Sequence, residues 1–556
     1  MTATSEPLRK PSLLDATCED FVYDIAELVP TLGTQLGMEG LDGELQDYSP
    51  EFWNSVAERM RDLVQDIDAL NDSTDDSDDE DDFDDVDHLT AAVVRDRITR
   101  ELELHHNGEW LSSLNVIASP LQTIRDSFSL MSQETPEDIE AIASRLSKVR
   151  GALHGYAESL AEAAQTGNVA SHRQIDAVIN QAEALAEVGS QLEQLGVDPE
   201  SAPVQDAKDA FAEFADWLST ELSPQSSHED AVGRDRYELF AGLFLGRDID
   251  WDEAYDWAKE QLAETVDEQG RLASELYGPG TTVLSAYRQL NEDPRYQLRG
   301  TDALLEWMNS VNERAFAELN GEDLTVPPEL HKVECAIDRA GSGGIFYTPP
   351  SDDLERPGTM WWSVPHGQEV FHTWQELTTV FHEGLPGHHL QIGTALLQRR
   401  SINLLRRNLF YSGHGEGWAL YAEHLMAEHG YFEDAGYRMG LLDARRLRLA
   451  RVLIDVGVHL KKPTPDGSGI WDAQYAKAFL RDNCALGEAQ VAFELDRYLG
   501  WPGQAPCYAL GFRDWLNLRD KALEQGMTLK RFHDKALRLG SMPMDMLACE
   551  VLNHGA

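Results

Sequence analysis

Cysteine is scarce in this chain, and what there is does not pair up. The 556 residues hold five, Cys18, Cys335, Cys484, Cys507 and Cys549, odd in number, widely spaced and without a Cys-x-x-Cys pair. That pattern argues against both a disulfide framework and a thiolate zinc site. Long apolar runs are missing too. No stretch approaches the roughly 18 apolar residues of a membrane span, and Met1 to Asp20 has no apolar core of signal-peptide length. A cytoplasmic protein with no membrane partner is the expectation. Positive charge is in short supply: 46 Lys and Arg face 98 Asp and Glu, a net charge of -52. Such a surface repels nucleic acid and anionic lipid. Part of the acidity sits in Asp72 to Asp87. That segment lacks the central glycine and closing glutamate of a calcium-binding EF-hand loop, so a solvated, self-repelling loop is expected over 72–87.

Histidine, by contrast, is concentrated. Nine of the 18 histidines, 366, 372, 382, 388, 389, 414, 424, 429 and 459, lie between residues 366 and 459. His372, His424 and His429 have no motif around them and are read as ordinary surface or core histidines. The segment Phe381-His382-Glu383-Gly384-Leu385-Pro386-Gly387-His388-His389-Leu390-Gln391 is different. Imidazoles with a distant carboxylate are what a catalytic zinc takes, leaving one position open for water. A glutamate directly after the first histidine is the usual base for that water.

The spacing departs from the common His-Glu-x-x-His helix, because the fifth position is Pro386. On a straight helix His389 returns to the face of His382, but about 10 Å further along, and His388 points elsewhere. Pro386 followed by Gly387 does not favour a straight helix. A local bulge at Leu385-Pro386-Gly387 would bring His388 beside His382, so His388 is favoured as the second ligand, with His389 the alternative. The third ligand is expected from a second helix, and Glu416, flanked by Gly415 and Gly417, is the best candidate. Glu423, seven residues on and on the same face, could hydrogen-bond a ligand histidine. On its own Glu416 would read as a carboxylate complementing a helix dipole; the His382 motif changes that reading.

These two motifs together, His382-Glu383-x-x-Pro386-Gly387-His388-His389 and Glu416-Gly417-Trp418-Ala419-Leu420-Tyr421-x-Glu423, resemble the bacterial domain-of-unknown-function family 885. So do Arg451 to His459, ending in Asp455-x-Gly457-x-His459, Gly503-Gln504-Ala505-x-x-Tyr508-x-x-Gly511, and the Tyr347 to Thr359 segment. The resemblance covers about residues 335–555. That family looks related to helical zinc carboxypeptidases of the Taq type (peptidase family 32). This kinship implies an all-α, mainly helical zincin-like fold with a cleft, one zinc held by His382, His388 and Glu416, and Glu383 as base. Tyr508 or His459 would donate to the oxyanion.

The rest of the chain fits a helical protein. Ser171 to Leu195, Asp302 to Leu319 and Leu441 to Leu460 carry apolar residues at helical period; Asp198-Pro199 and Ser223 to Ser227 read as loops. The exception is Gly343 to Val364, where Ile345 to Tyr347 and Thr359 to Val364 read as two short strands just before the metal helix. They could offer an edge to an extended peptide or simply cover the core. Two regions are expected: an N-terminal helical region, 1–230, carrying the acidic loop, and a catalytic, metal-binding region, 231–556. From 399 to 451, nine arginines stand against six acids, a basic patch that could fix a peptide's C-terminal carboxylate or serve only internal salt bridges. The function expected is a zinc metallopeptidase acting on peptides, of carboxypeptidase or small-peptide type. The alternatives are a non-catalytic zincin-like binding protein and a metal hydrolase of non-peptide amides or esters. Oligomeric state is left open, a homodimer included.

Overall fold

A computed structural model describes residues 9–74, 83–338, 344–352, 354–365 and 367–553; His366 and positions 75–82 lie outside the described residues. The structure is mainly helical with five short strands among the described residues. It divides into two compact units, Met1–Asp230 with Gln398–Asn408, and Ala231–Leu397 with Leu409–Ala556.

In the first unit, helices Val149–Gln165, His172–Ala186 and Ala202–Trp217 share a core built on Tyr156, Ile175, Val178, Phe211 and Phe214. The 171–195 pattern yields a shorter helix than expected: it stops at Ala186 and a 3-10 turn, Gln191–Gln194, follows. The acidic stretch is not a loop at its ends. Asp72 lies in the last turn of the helix Pro50–Thr74, and Asp84 caps the helix Asp85–His106 by accepting from the Asp87 N–H. Carboxylates at a helix N-terminus meet orphan N–H groups and the positive end of the dipole. Arg9 also pairs with Asp15, Asp84 and Asp87, which offsets their mutual repulsion.

The second unit holds the motifs. The helix Ala435–His459, six residues longer at its start than its sequence pattern indicates, packs along Trp251–Tyr277 and against Thr373–Glu383. The strands exceed the two expected. β1 (Gln297–Arg299) pairs antiparallel with β5 (Val370–His372). β2 (Glu334–Asp338), β3 (Ile345–Thr348) and β4 (Thr359–Ser363) form a second sheet with β4 in the middle, parallel to β2 and antiparallel to β3. Alternation along β4 buries Met360 and Trp362 and turns Trp361 to the other face, where it stacks on Phe346 at 6.2 Å. β3 is an edge strand and packs beside the helix Thr373–Glu383.

The helix Ser412–Glu428 packs closely on Cys507–Glu524. Glycines make it possible. A methyl group on Gly511 would sit 2.0 Å from the Gly413 carbonyl oxygen and 3.0 Å from the Gly417 Cα. Both contacts are helix backbone, which cannot yield without parting the helices. Gly511→Ala is therefore expected to destabilise the protein by at least about 1–3 kcal/mol, the cost of overpacking. Urea denaturation followed by helical circular dichroism would measure this; an unchanged midpoint would contradict it.

Candidate metal centre

The helix Thr373–Glu383 buries Trp374, Leu377, Val380 and Phe381 along one side and carries His382 and Glu383 in its last turn. It ends there. Gly384 donates to the Val380 carbonyl at 2.9 Å, the chain turns through a cis Leu385–Pro386 bond, and a new helix runs His388–Leu396. The expected bulge in one helix is thus a complete break between two. Three contacts hold the turn in shape. The Leu385 N–H donates to Asn312 Oδ1 at 2.9 Å, and Trp418 Nε1 donates to the Pro386 carbonyl at 2.9 Å. Gly387 sits so close under His382 that a methyl group there would meet the His382 carbonyl oxygen at 1.9 Å. The chain folds back on itself, and His388 arrives beside His382, with ring centroids 4.9 Å apart and planes at 86°.

Glu416, from the helix Ser412–Glu428, completes the group. One donor atom from each of His382, His388 and Glu416 lies within 4.8 Å of the others. Glu416 Oε2 is 3.3 Å from His382 Nε2 and 3.5 Å from His388 Nε2, and it is buried with no hydrogen-bond donor. Two donors at zinc bond lengths of about 2.0–2.1 Å in a tetrahedron stand roughly 3.3–3.4 Å apart. The spacing therefore suits one small cation between them.

Outer partners fix the candidate ligands. Glu423 Oε1 accepts from His382 Nδ1 at 2.9 Å, and its other oxygen takes the Thr378 hydroxyl. With Nδ1 engaged by Glu423, Nε2 is the nitrogen left facing Glu416, the usual carboxylate–histidine arrangement at zinc. Burial lowers the His382 pKa, but Glu416 and Glu423 raise it more, to about 9. Burial acts to raise the Glu416 pKa, yet the two imidazoles hold it well below the usual range. Three carboxylates, Glu383, Glu416 and Glu423, thus share a buried space with two imidazoles, a group that calls for positive charge.

Glu383 is 6 % exposed; burial raises its pKa, while His382, His388 and Arg448 pull it back down. The Tyr508 ring stacks on His382 at 6.2 Å and 15°, and its hydroxyl accepts from Arg497 at 2.9 Å. Arg451 lies over the Tyr508 ring, 4.4 Å from its centroid, tied to Glu494 at 3.0 Å and to the Tyr498 hydroxyl at 2.9 Å.

Two candidates fall away. His389 turns from the cluster: its Nε2 donates to the Leu330 carbonyl at 3.1 Å and its Nδ1 meets the Tyr347 hydroxyl at 2.9 Å. Burial pushes its pKa down to about 4, so it is a neutral, fully engaged ring. His459 is not an oxyanion donor, since its Nε2 bonds the Tyr498 carbonyl at 3.0 Å and its Nδ1 receives the Val232 N–H. His424 and His429 pair with Glu428 and Asp323, outside the cluster. Sequence reading missed Thr378, Glu494, Arg497 and Tyr347 as site partners. Tyr347 had a signal, the Pro349-Pro350 turn after it; the others carried none.

Residues 30–551 match the profile of a family described as "Bacterial protein of unknown function (DUF885)". No curated protein matches the chain. Among solved structures, a "putative lipoprotein" from Colwellia psychrerythraea superposes with a TM-score of 0.81 at 21% identity, covering 97% of this chain and 98% of that one. A "putative lipoprotein of unknown function" from Shewanella oneidensis gives 0.70 at 14% identity, covering 97% and 99%. These likenesses establish the shared fold. No helix among the described residues is long and apolar enough to cross a membrane.

The geometry gives two expectations. His388→Ala should abolish retention of one zinc per chain, and His389→Ala should spare it; metal analysis after gel filtration decides, and the opposite pattern would reverse the ligand assignment. Because His382 holds its proton up to about 9, zinc must displace that proton at lower pH. Zinc affinity should then rise by up to roughly tenfold per unit between about pH 6 and 8. Competition with a chelator of known pH dependence measures it, and a flat profile would contradict it.

Proposed function

The chain belongs to the DUF885 family, and on that premise we propose that it is a zinc-dependent metallohydrolase that cleaves peptide bonds. The observation that carries this reading is Glu416 Oε2, buried without a donor and set 3.3 and 3.5 Å from two imidazole nitrogens. His382, His388 and Glu416 would hold the ion. Zinc bound there supplies a Lewis acid that makes water acidic near neutral pH and polarises a carbonyl.

The chain's own residues do the rest. Glu383 follows His382 directly, and its burial raises its proton affinity. It takes a proton from the attacking water and returns it to the leaving amine. Tyr508 has its hydroxyl oxygen occupied by Arg497, so its own proton is left to donate to an oxygen on the reacting carbon. Glu423 and Thr378 keep His382 in one tautomer and one orientation. A binding protein with a purely structural ion has no use for Glu383, which is why catalysis is preferred to a scaffold role.

Glu383→Gln should keep zinc and fold while losing on the order of 10²- to 10⁴-fold in hydrolysis, because the amide cannot accept a proton. Peptide-library cleavage, with and without chelator, tests wild type and variant side by side. Zinc-loaded wild type that cleaves only non-peptide esters or amides would move the substrate class. Zinc-loaded protein that cleaves nothing would return the chain to a binding role.

A further inference from the structure

An aromatic ring stands at the edge of the candidate centre where solvent reaches it. Of the three candidate ligands, His388 and Glu416 are the more accessible, with side chains 9 % and 13 % exposed. Phe410 lies against the first and is 38 % exposed. Its ring meets His388 in an edge-to-face arrangement, with centroids 6.3 Å apart and planes at 61°.

The chain holds this ring in place. The next residue, Tyr411, is fully buried, and its N–H donates to the Ser541 hydroxyl at 2.9 Å. The ring itself packs on Gly415, the residue before Glu416. A methyl group on Gly415 would meet Phe410 Cε2 and Cζ at 2.3 Å. The two glycines that flank Glu416 therefore differ in use: Gly417 gives its space to the neighbouring helix, and Gly415 gives its space to Phe410. A single exposed phenylalanine signifies little on its own. This one is anchored by a buried neighbour, seated on a glycine and set against a candidate ligand. The other groups around the centre, Glu383, Tyr508, Arg451 and Arg497, are charged or carry a hydroxyl. Phe410 is the apolar surface among them. A substrate carbonyl placed at His382, His388 and Glu416 sets the side chains of the two residues it joins within one side chain's reach of a ring 6.3 Å from His388.

We propose that Phe410 binds a large apolar side chain, phenylalanine or leucine, on one of the two substrate residues that flank the scissile bond. The substrate class is then peptides with such a residue at the cut. The inference rests on the peptidase reading but is tested apart from it, by equilibrium binding. The probes are the hexapeptides Ala-Ala-Ala-Phe-Ala-Ala and Ala-Ala-Ala-Gln-Ala-Ala. They are titrated by calorimetry into zinc-loaded Glu383→Gln protein with Phe410 intact, then into the same protein carrying Phe410→Gln or Gly415→Ala. The second variant displaces the ring without removing it. Zinc content and circular dichroism establish that each variant is folded and loaded.

With Phe410 intact, the phenylalanine peptide should bind roughly five- to thirtyfold more tightly than the glutamine peptide, as expected for partial burial of one large apolar side chain. Phe410→Gln should bring the two to near parity, and Gly415→Ala should reduce the preference. Equal binding of both peptides with Phe410 intact, or a preference that survives both variants, would overturn the assignment. Product masses from wild type show which flank is read: phenylalanine at a new C-terminus or at a new N-terminus supports the proposal, and a cut elsewhere in the peptide overturns it. Wild type that cleaves both peptides equally would leave the peptidase standing and remove only this inference. Peptides that are neither bound nor cleaved would remove both.

Discussion

The return of the chain at Gly384 to Gly387 is the constraint on which the centre depends. A histidine six residues beyond another cannot share its helical face. It shares a site here because the helix stops at Glu383, the backbone folds under His382, and a second helix begins at His388. The turn is secured from outside by Asn312 and Trp418, and Trp418 comes from the same helix as Glu416. One helix therefore supplies the carboxylate at the site, the indole that pins the histidine turn, and Glu423, which orients His382. The Gly413, Gly417 and Gly511 contacts seat that helix against Cys507–Glu524, which in turn carries Tyr508.

Electrostatics explains why so many polar groups are tolerated inside. Buried carboxylates are costly unless paired or bound to a cation. Glu494 is paired with Arg451, and Glu423 with His382 and Thr378. Glu416 has only the two imidazole nitrogens, and Glu383 is left exposed to the combined charge of its neighbours. The layers run outward from the site: Glu416 and the histidines, then Tyr508 and Glu423, then Arg451, Arg497 and Glu494.

Much of this was legible in the sequence, for identifiable reasons. His382, Glu383 and Glu416 stand in short motifs whose chemistry needs those residue types, and Glu423 follows Glu416 by two helical turns. His388 was favoured over His389 because Pro386 and Gly387 forbid a straight helix. The form of the interruption was not legible, since a bulge and a full break leave the same local pattern. His459 misled because its motif lies close along the chain, whereas its ring is spent on backbone groups of Tyr498 and Val232. The arginine cluster was visible as composition only; the groups that Arg438, Arg446 and Arg451 hold lie tens to hundreds of residues away. β1 and β5 escaped because three residues carry too few alternations to read, and β2, Glu-Cys-Ala-Ile-Asp, lacks the aromatic run that marks β3 and β4.

The central claim is the ligand set, and zinc-edge X-ray absorption of the zinc-loaded protein tests it most directly. Two imidazole nitrogens and oxygen donors, all at about 2.0–2.2 Å and with no sulfur, are the predicted first coordination sphere. Glu416→Gln, which is close in size but uncharged, should weaken zinc binding or change the oxygen shell while leaving the imidazole signal. A sphere with sulfur at about 2.3 Å, or one with a single imidazole, would contradict the account.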